Sequence, residues 1–199
     1  DYYKKDFLKF NERFGVREFE FKSLVPQLYI PSFMRDKLGY ATHAMVSLPV
    51  LNQYTPLNTG FDTYKLMDRH NDMMAMVDEM TFSDKPSFYL LNVGETHYPY
   101  ATPDEPENEW PHMHGVHGVF KHLDDLLVGG RLVKQEEELT FFTRKQLGEL
   151  KERQIHAITY LDNVFAKLFD IVPKNTYITV TSDHGELFGE EGYFGHGPI

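Results

Sequence analysis

The sequence predicts an α/β protein of three layers, in which a mostly parallel sheet lies between helices. Predicted helices and strands alternate along the 199 residues, which is typical of this class. Residues 87–93 are almost continuously apolar, as in a strand that is covered on both faces. Residues 140–172 carry apolar side chains at the i, i+3, i+4 and i+7 positions of a long amphipathic helix. We expect a single domain, incomplete at both ends, with residues 1–22 at its periphery and a lid-like segment over 97–139.

The composition limits the classes of function. The net charge is −10 and the isoelectric point about 5.4, which argues against nonspecific binding to nucleic acid. There is no cysteine, so disulfides, thiolate nucleophiles and cysteine-ligated zinc are excluded within these residues. No apolar run is long enough for a transmembrane helix, and residues 1–199 contain no signal-peptide pattern, which leaves the parent protein open because we expect the ends to be cut. The compartment and the oligomeric state stay open.

The first half of the chain reads as helix, strand, helix, strand. Ser23 is a possible N-cap for a helix over 24–38, which Pro31 should interrupt and Gly39 should end. Residues 40–48 have the pattern of a strand. We expect a second helix over 62–80, with its methionines in the core, before the strand at 87–93.

In the second half, residues 101–122 should be irregular because they contain three prolines. A short helix is expected over 123–139, where Gly129 and Gly130 form a break. After the long helix, Pro173 should act as a stop, and the β-branched run 177–181 predicts a final strand.

The end of this final strand carries the residues with the clearest chemistry. Asp183 and His184 would supply a carboxylate oxygen and an imidazole nitrogen, a donor set that suits Zn²⁺ or Mn²⁺ and less well Mg²⁺ or Ca²⁺. The alternative is a helix cap, in which Asp183 and Glu186 form a capping box. His97 follows another strand, and carboxyl ends of parallel strands share one crevice. It could equally be a loop histidine with a hydrogen-bonded ring.

Four further histidines lie between residues 101 and 122. His112, His114 and His117 have spacing that zinc could use, but a proline-rich loop is a poorly preorganised site. We therefore interpret this cluster, with His122, as part of a substrate-facing loop. Nothing in the sequence supports a serine–histidine–aspartate triad or a phosphate-binding loop.

Four short blocks of the chain form a recognisable series. The late block is TSDHGE at 181–186, followed by GHG at 195–197. The earlier blocks are GYAT at 39–42 with GFDTY at 60–64, the strand at 87–92 with HYPY at 97–100, and YLD at 160–162. In this order the four blocks resemble the sulfatase-like branch of the alkaline phosphatase superfamily.

This resemblance implies an alkaline-phosphatase-like fold and a metal-dependent hydrolase of small-molecule phosphate or sulfate esters. By position, Asp183 and His184 would bind the divalent metal, while His97 and His196 would contact the substrate. The family takes its nucleophile and further acidic ligands from an early segment that has no counterpart in these residues. Ser32 is a poor substitute because of its helical context. We therefore expect a partial catalytic domain that binds metal weakly and turns over little.

Two other readings use the same core. One is a phosphotransferase or mutase of the same superfamily, and the other is a noncatalytic module that kept the fold and binds a metal or ligand.

Overall fold

A computed structural model describes residues 29–111, 127–128, 131–132, 143–190 and 194–196. The chain divides into two compact units after Gly94, here called unit 1 (residues 1–94) and unit 2 (residues 95–199). Each is described by itself. The domain organisation that the sequence suggests stays a prediction. Across the described ranges, no helix combines the length and the apolar character that crossing a membrane requires.

Unit 1 begins with a short helix, α1 (Ile30–Asp36). Pro31 lies in its first turn, where a missing N–H costs no hydrogen bond, so the proline starts this helix rather than breaking it. Gly39 ends the helical path with a φ of 73°, a conformation that glycine adopts without strain. The part of the expected helix that precedes Tyr29 lies outside the described residues.

A parallel sheet of three strands forms the centre of unit 1. The strands are β1 (Ala41–Val46), β2 (Thr63–Leu66) and β3 (Ser87–Asn92), in the order β2-β1-β3. Both neighbours pair with β1 in parallel. The parallel pairing and the accompanying helices confirm the predicted α/β class. Leu90 of β3 is 41% exposed, so this strand is less covered than its apolar sequence predicts.

The expectation of one helix over 62–80 is wrong. The segment starts as β2, whose residues are alternately exposed and half-buried, and only then forms α2 (Met73–Glu79). Pairing with β1 satisfies the backbone of β2 and overrides its helical pattern. Asp72 begins α2 by accepting a 3.0 Å hydrogen bond from Ala75 N.

Four methionines of unit 1, Met45, Met67, Met73 and Met76, are buried core residues, as the sequence predicts, while Met74 is half-buried. Met45, Met67 and Met76 form a buried cluster, and Tyr89, Leu91 and Val93 pack against it. An unbranched, polarizable side chain fills irregular gaps between a sheet and a helix.

The main element of unit 2 is the long helix α3 (Arg144–Ile171). Thr143 and Gln146 form a capping box at its start, and Pro173 follows its end. The predicted apolar stripe is confirmed in part: Leu150, Leu161, Val164 and Leu168 are buried, together with Ala157, whereas Ile155 and Ile158 are 47% and 52% exposed.

Two short strands replace the described part of the helix expected over 123–139. They are β4 (Leu127–Val128) and β5 (Arg131–Leu132), which pair antiparallel. Two glycines between two short runs favour a hairpin more than a helix break. The other residues of that expected helix lie outside the described ones.

The final strand expected over 177–181 is also wrong. These residues belong to no strand, Tyr177 is fully exposed, and Val180 is 62% exposed. β-propensity is worth only about 1 kcal/mol, so a strand also needs a hydrogen-bonded neighbour, and the described part of the chain supplies none here. The following residues form an unpredicted antiparallel pair, β6 (Leu187–Phe188) and β7 (Phe194–Gly195).

Candidate functional site

The turn after residue 181 presents two donor atoms side by side. His184 Nδ1 lies 2.9 Å from the Gly185 carbonyl oxygen, which can only accept. Nδ1 therefore carries the proton and, in the neutral ring, Nε2 keeps its lone pair. That Nε2 lies 3.6 Å from Asp183 Oδ2. Asp183 Oδ1 accepts from His184 N at 3.1 Å, which fixes the carboxylate beside the ring.

No helix starts at Asp183, since the residues after it lead into β6. The helix-cap interpretation of Asp183 and Glu186 is therefore wrong. Glu186 faces His196 instead of the backbone of a first helical turn.

His196 stacks on His184, although twelve positions separate them in the chain. The ring centroids are 3.7 Å apart and the planes differ by 22°. The β6–β7 pair explains this contact, because its register sets Leu187 opposite Gly195 and so brings Glu186 next to His196. His196 Nδ1 lies 3.2 Å from each Glu186 carboxylate oxygen, so the ring donates to this carboxylate.

Tyr100 approaches the same carboxylate from another loop. It is 1% exposed and its φ is 56°. Its ring lies 5.7 Å from that of Phe188. Burial, and then the Glu186 carboxylate, raise the pKa of Tyr100 far above its ordinary value. The phenol is thus neutral at ordinary pH.

His97 begins the turn that ends at Tyr100. Its exposed ring places Nδ1 2.8 Å from the Tyr98 carbonyl oxygen, and its own carbonyl accepts from Tyr100 N at 2.7 Å. The Tyr98–Pro99 peptide bond is cis. Within the described residues, the ring of His97 makes no hydrogen bond or ring contact with Asp183, His184 or His196. The structure thus brings Asp183, His184 and His196 together. His97 lies outside this group, at the start of the turn that ends at Tyr100.

An arginine of α3 holds this turn from the other side. Arg153 Nε donates to the Pro99 carbonyl at 3.2 Å, and its Nη2 forms an ion pair with Glu105. Both side chains are at least three-quarters buried. The chain segment from His97 to Glu105 is therefore fixed to the helix at two points.

The sequence interpretation did not single out Tyr100 or Arg153, and it considered Glu186 only as part of an alternative capping box. Tyr100 and Glu186 stand inside the blocks that carry the family resemblance, HYPY and TSDHGE, so their position was a usable signal. Arg153 had none, because one arginine in an amphipathic helix looks like any solvated residue. His112, His114, His117 and His122 lie outside the described residues.

The chemistry of the donors fits a divalent metal only in part. Asp183 and the unprotonated Nε2 of His184 are suitable donors. Across the described ranges, however, no group of three or more His, Cys, Asp or Glu side chains is arranged to hold an ion. These two residues can fill at most part of a coordination shell.

Unit 1 has a parallel α/β fold, and unit 2 carries carboxylate and imidazole donors on loops. The protein is therefore an α/β protein with a polar candidate site on loops. The family model described as Sulfatase matches residues 10–198, and the chain belongs to this family of hydrolases. The predicted resemblance is thereby confirmed at family level. The sulfatase family generally uses a divalent metal. Neither a curated protein nor a solved structure matches the chain significantly.

Proposed function

We propose that this protein is a metal-dependent hydrolase of small-molecule sulfate or phosphate esters. Asp183 and His184 would bind the metal, and His97 and His196 would contact the ester anion. The observation that carries the proposal is that His184 Nε2 lies 3.6 Å from Asp183 Oδ2, with His196 stacked on the His184 ring.

The mixed nitrogen and oxygen donors favour Zn²⁺ or Mn²⁺ over Mg²⁺ or Ca²⁺. A bound divalent ion supplies positive charge that polarises the ester oxygens and activates a hydroxyl nucleophile. This local positive charge would also allow a chain of net charge −10 to bind an anion.

The histidines need a second proton to hold an anion by hydrogen bonding. His97 and His196 already use Nδ1–H on the Tyr98 carbonyl and on Glu186. As imidazolium ions they would donate Nε2–H to the non-bridging oxygens of the ester.

We assign no nucleophile to the described residues. Ser32 is buried in the first turn of α1, and a Cβ added at Gly60 would lie 2.3 Å from its Oγ, so this serine serves close packing. We therefore propose that these residues hold part of the site and turn over esters slowly without the segment that carries the nucleophile.

Titration calorimetry with Mn²⁺ and with Zn²⁺ tests the metal assignment. The full chain should bind weakly, and Asp183→Ala should remove this binding. Asp170→Ala is the matched control, since it removes an exposed carboxylate of α3. Equal affinities for the chain and for Asp183→Ala would contradict the proposal.

Hydrolysis of 4-nitrophenyl sulfate and 4-nitrophenyl phosphate, with metal in excess, tests the chemistry. We expect rates within a few-fold of the uncatalysed reaction. Rapid turnover that Asp183→Ala abolishes would support the hydrolase and refute the statement that the site is partial.

A further inference from the structure

Residues 49–58 of unit 1, here called the apolar loop, connect β1 to β2 and expose large apolar side chains to water. Val50 is 74% exposed, Tyr54 is 88% exposed and Leu57 is 42% exposed. A single exposed apolar residue is ordinary on a protein surface, whereas several in one short loop point to a contact surface. The apolar loop is therefore a candidate for binding to another apolar surface.

The backbone of the apolar loop depends little on water for its hydrogen bonds. It contains two prolines, which have no N–H group. At least six of the nine N–H groups in residues 49–59 donate within the protein, at 2.9–3.3 Å. These donors belong to Leu51, Asn52, Tyr54, Thr55, Asn58 and Thr59. Transfer of the loop into an apolar medium therefore leaves few backbone N–H groups unpaired.

The apolar loop also carries no formal charge. Residues 38–61 contain no Lys, Arg, Asp or Glu, although the whole chain has a net charge of −10. Its polar side chains are amides and hydroxyls, and those of Asn52 and Thr55 bond to the backbone of the loop itself. No charged group of the loop would lose its water in an apolar medium, and such a loss is the largest cost of this kind of transfer.

Two tyrosines hold the apolar loop in its conformation. The Tyr29 hydroxyl donates to the Leu57 carbonyl at 2.7 Å, and the Tyr64 hydroxyl donates to the Leu51 carbonyl at 2.6 Å. Both bonds join the loop to the elements that flank it in unit 1, and both occupy carbonyls that would otherwise need water. The exposed side chains are thus presented on an ordered loop, which lowers the entropy cost of binding.

We propose that the apolar loop inserts Val50, Tyr54 and Leu57 into the interface of an uncharged lipid bilayer, such as a phosphatidylcholine surface. A tyrosine suits this depth, because its ring is apolar and its hydroxyl can stay in water. Loops and helices that bind in this way lie in the interface and do not span the bilayer. The inference goes beyond the proposed function and does not depend on it.

Two other occupants fit the apolar loop less well. A second copy of the chain would bring another net charge of −10, and the loop is shorter than the about 20–30 residues that a stable protein interface takes from each side. An anionic bilayer would repel the acidic chain, because the loop offers no Lys or Arg to attract the lipid headgroups.

Co-flotation of the full chain with phosphatidylcholine vesicles, with lipid in large excess, tests the proposal. The loop variant combines Val50→Gln and Tyr54→Gln, which remove apolar surface without adding charge. The matched control combines Ile158→Gln and Tyr177→Gln, an aliphatic residue and a tyrosine that unit 2 exposes. We expect the loop variant to lower the partition coefficient by about tenfold, because interfacial binding scales with buried apolar area. The control variant should bind as the unchanged chain does.

A fluorescent label keeps the test decisive if the loop variant does not fold. The chain has no cysteine, so Tyr54→Cys and Tyr177→Cys each provide a single site for a polarity-sensitive NBD label. Phosphatidylcholine vesicles should shift the emission of the label at residue 54 to the blue and increase its intensity. The label at residue 177 should not respond.

Several results would overturn the proposal. These are no flotation of the full chain, equal flotation of the folded loop variant, an equal loss in the control variant, or no response of the label at residue 54. Phosphatidylserine in the vesicles should weaken binding, and stronger binding would contradict an uncharged lipid surface. A dimer in sedimentation velocity that the loop variant dissociates, without any flotation, would assign the apolar loop to a second copy of the chain instead.

Discussion

Strand β1 and the segment 177–181 both have sequences that predict a strand, but only β1 forms one. Both are short runs of apolar and β-branched residues, yet Val46 is 1% exposed and Val180 is 62% exposed. β1 lies between two parallel neighbours that satisfy its backbone. The segment 177–181 has no strand partner among the residues that the structure describes. Strand propensity thus becomes structure only where tertiary pairing and burial complete it.

In the residues that follow, from 182 onwards, little in the sequence predicts regular structure. Their side chains nevertheless make specific contacts. The ring stack of His184 and His196, and the hydrogen bond of His196 to Glu186, define them. In unit 1 backbone pairing builds the structure, while at the candidate site side chains do so.

The largest expected effect compares two valines. Val46→Ala should lower the free energy of unfolding by roughly 2–3 kcal/mol, because it removes buried apolar surface and leaves a cavity. Val180→Ala should change it by less than about 0.5 kcal/mol, since water already reaches this side chain. Urea unfolding followed by circular dichroism measures both. A comparable loss in Val180→Ala would mean that segment 177–181 is buried in solution, and the comparison with β1 would fail.

The next effect concerns the arginine that holds the site turn. Arg153→Met should destabilise unit 2 by about 1–2 kcal/mol, between the values for exposed and for fully buried ion pairs. Lys145→Met breaks the exposed Lys145–Glu149 pair on the same helix and should cost less than about 0.5 kcal/mol. Fluorescence of the single tryptophan, Trp110, reports on unit 2 during unfolding. Equal costs for the two variants would show that Arg153 does not anchor the loop.

One substitution should have opposite signs at two glycines. Gly39→Ala should destabilise by about 1 kcal/mol because alanine is strained at a φ of 73°. Gly148→Ala should stabilise by about 0.5–1 kcal/mol, since this glycine lies exposed inside α3 with no atom within 4 Å of an added Cβ. Thermal unfolding of both variants measures the difference. The same sign for both would contradict the assigned backbone conformations.

The last effect is a pH dependence at Tyr100. Its pKa is raised in the folded state, so below about pH 10 the phenol is neutral in both states and contributes no slope. At higher pH the unfolded chain loses this proton first, so it binds fewer protons and the free energy of unfolding falls as the pH rises. Tyr100→Phe should remove this part of the alkaline slope. Tyr29 and Tyr64, whose pKa values burial also raises, are present in both proteins and cancel. An identical slope in the variant would mean that Tyr100 ionises as freely in the folded state as in the unfolded one.

The sequence predicted the structure best for elements that are specified by their own local pattern. The long helix was predicted within a few residues because its apolar period, its capping box and Pro173 all act locally. β1 and β3 were found for a similar reason. The expected helix over 62–80 was wrong because β2 depends on pairing with β1, which local periodicity does not contain. Among the candidate site residues, Asp183 and His184 were proposed from adjacent positions in one motif. Arg153 gave no such signal, since its hydrogen bond to the Pro99 carbonyl joins residues 54 positions apart.

By itself the sequence determined the α/β class, the membership of the sulfatase family and the residue types that can bind a metal and an anion. These follow from patterns within short stretches: hydrophobic period, helix ends, and a motif of carboxylate and histidine. The tertiary structure alone decided that His196 stacks on His184, that Glu186 accepts from His196 rather than capping a helix, and that Tyr100 is buried against Phe188. The reason is physical, because a contact between distant residues depends on how the chain folds back, and no local pattern records that distance.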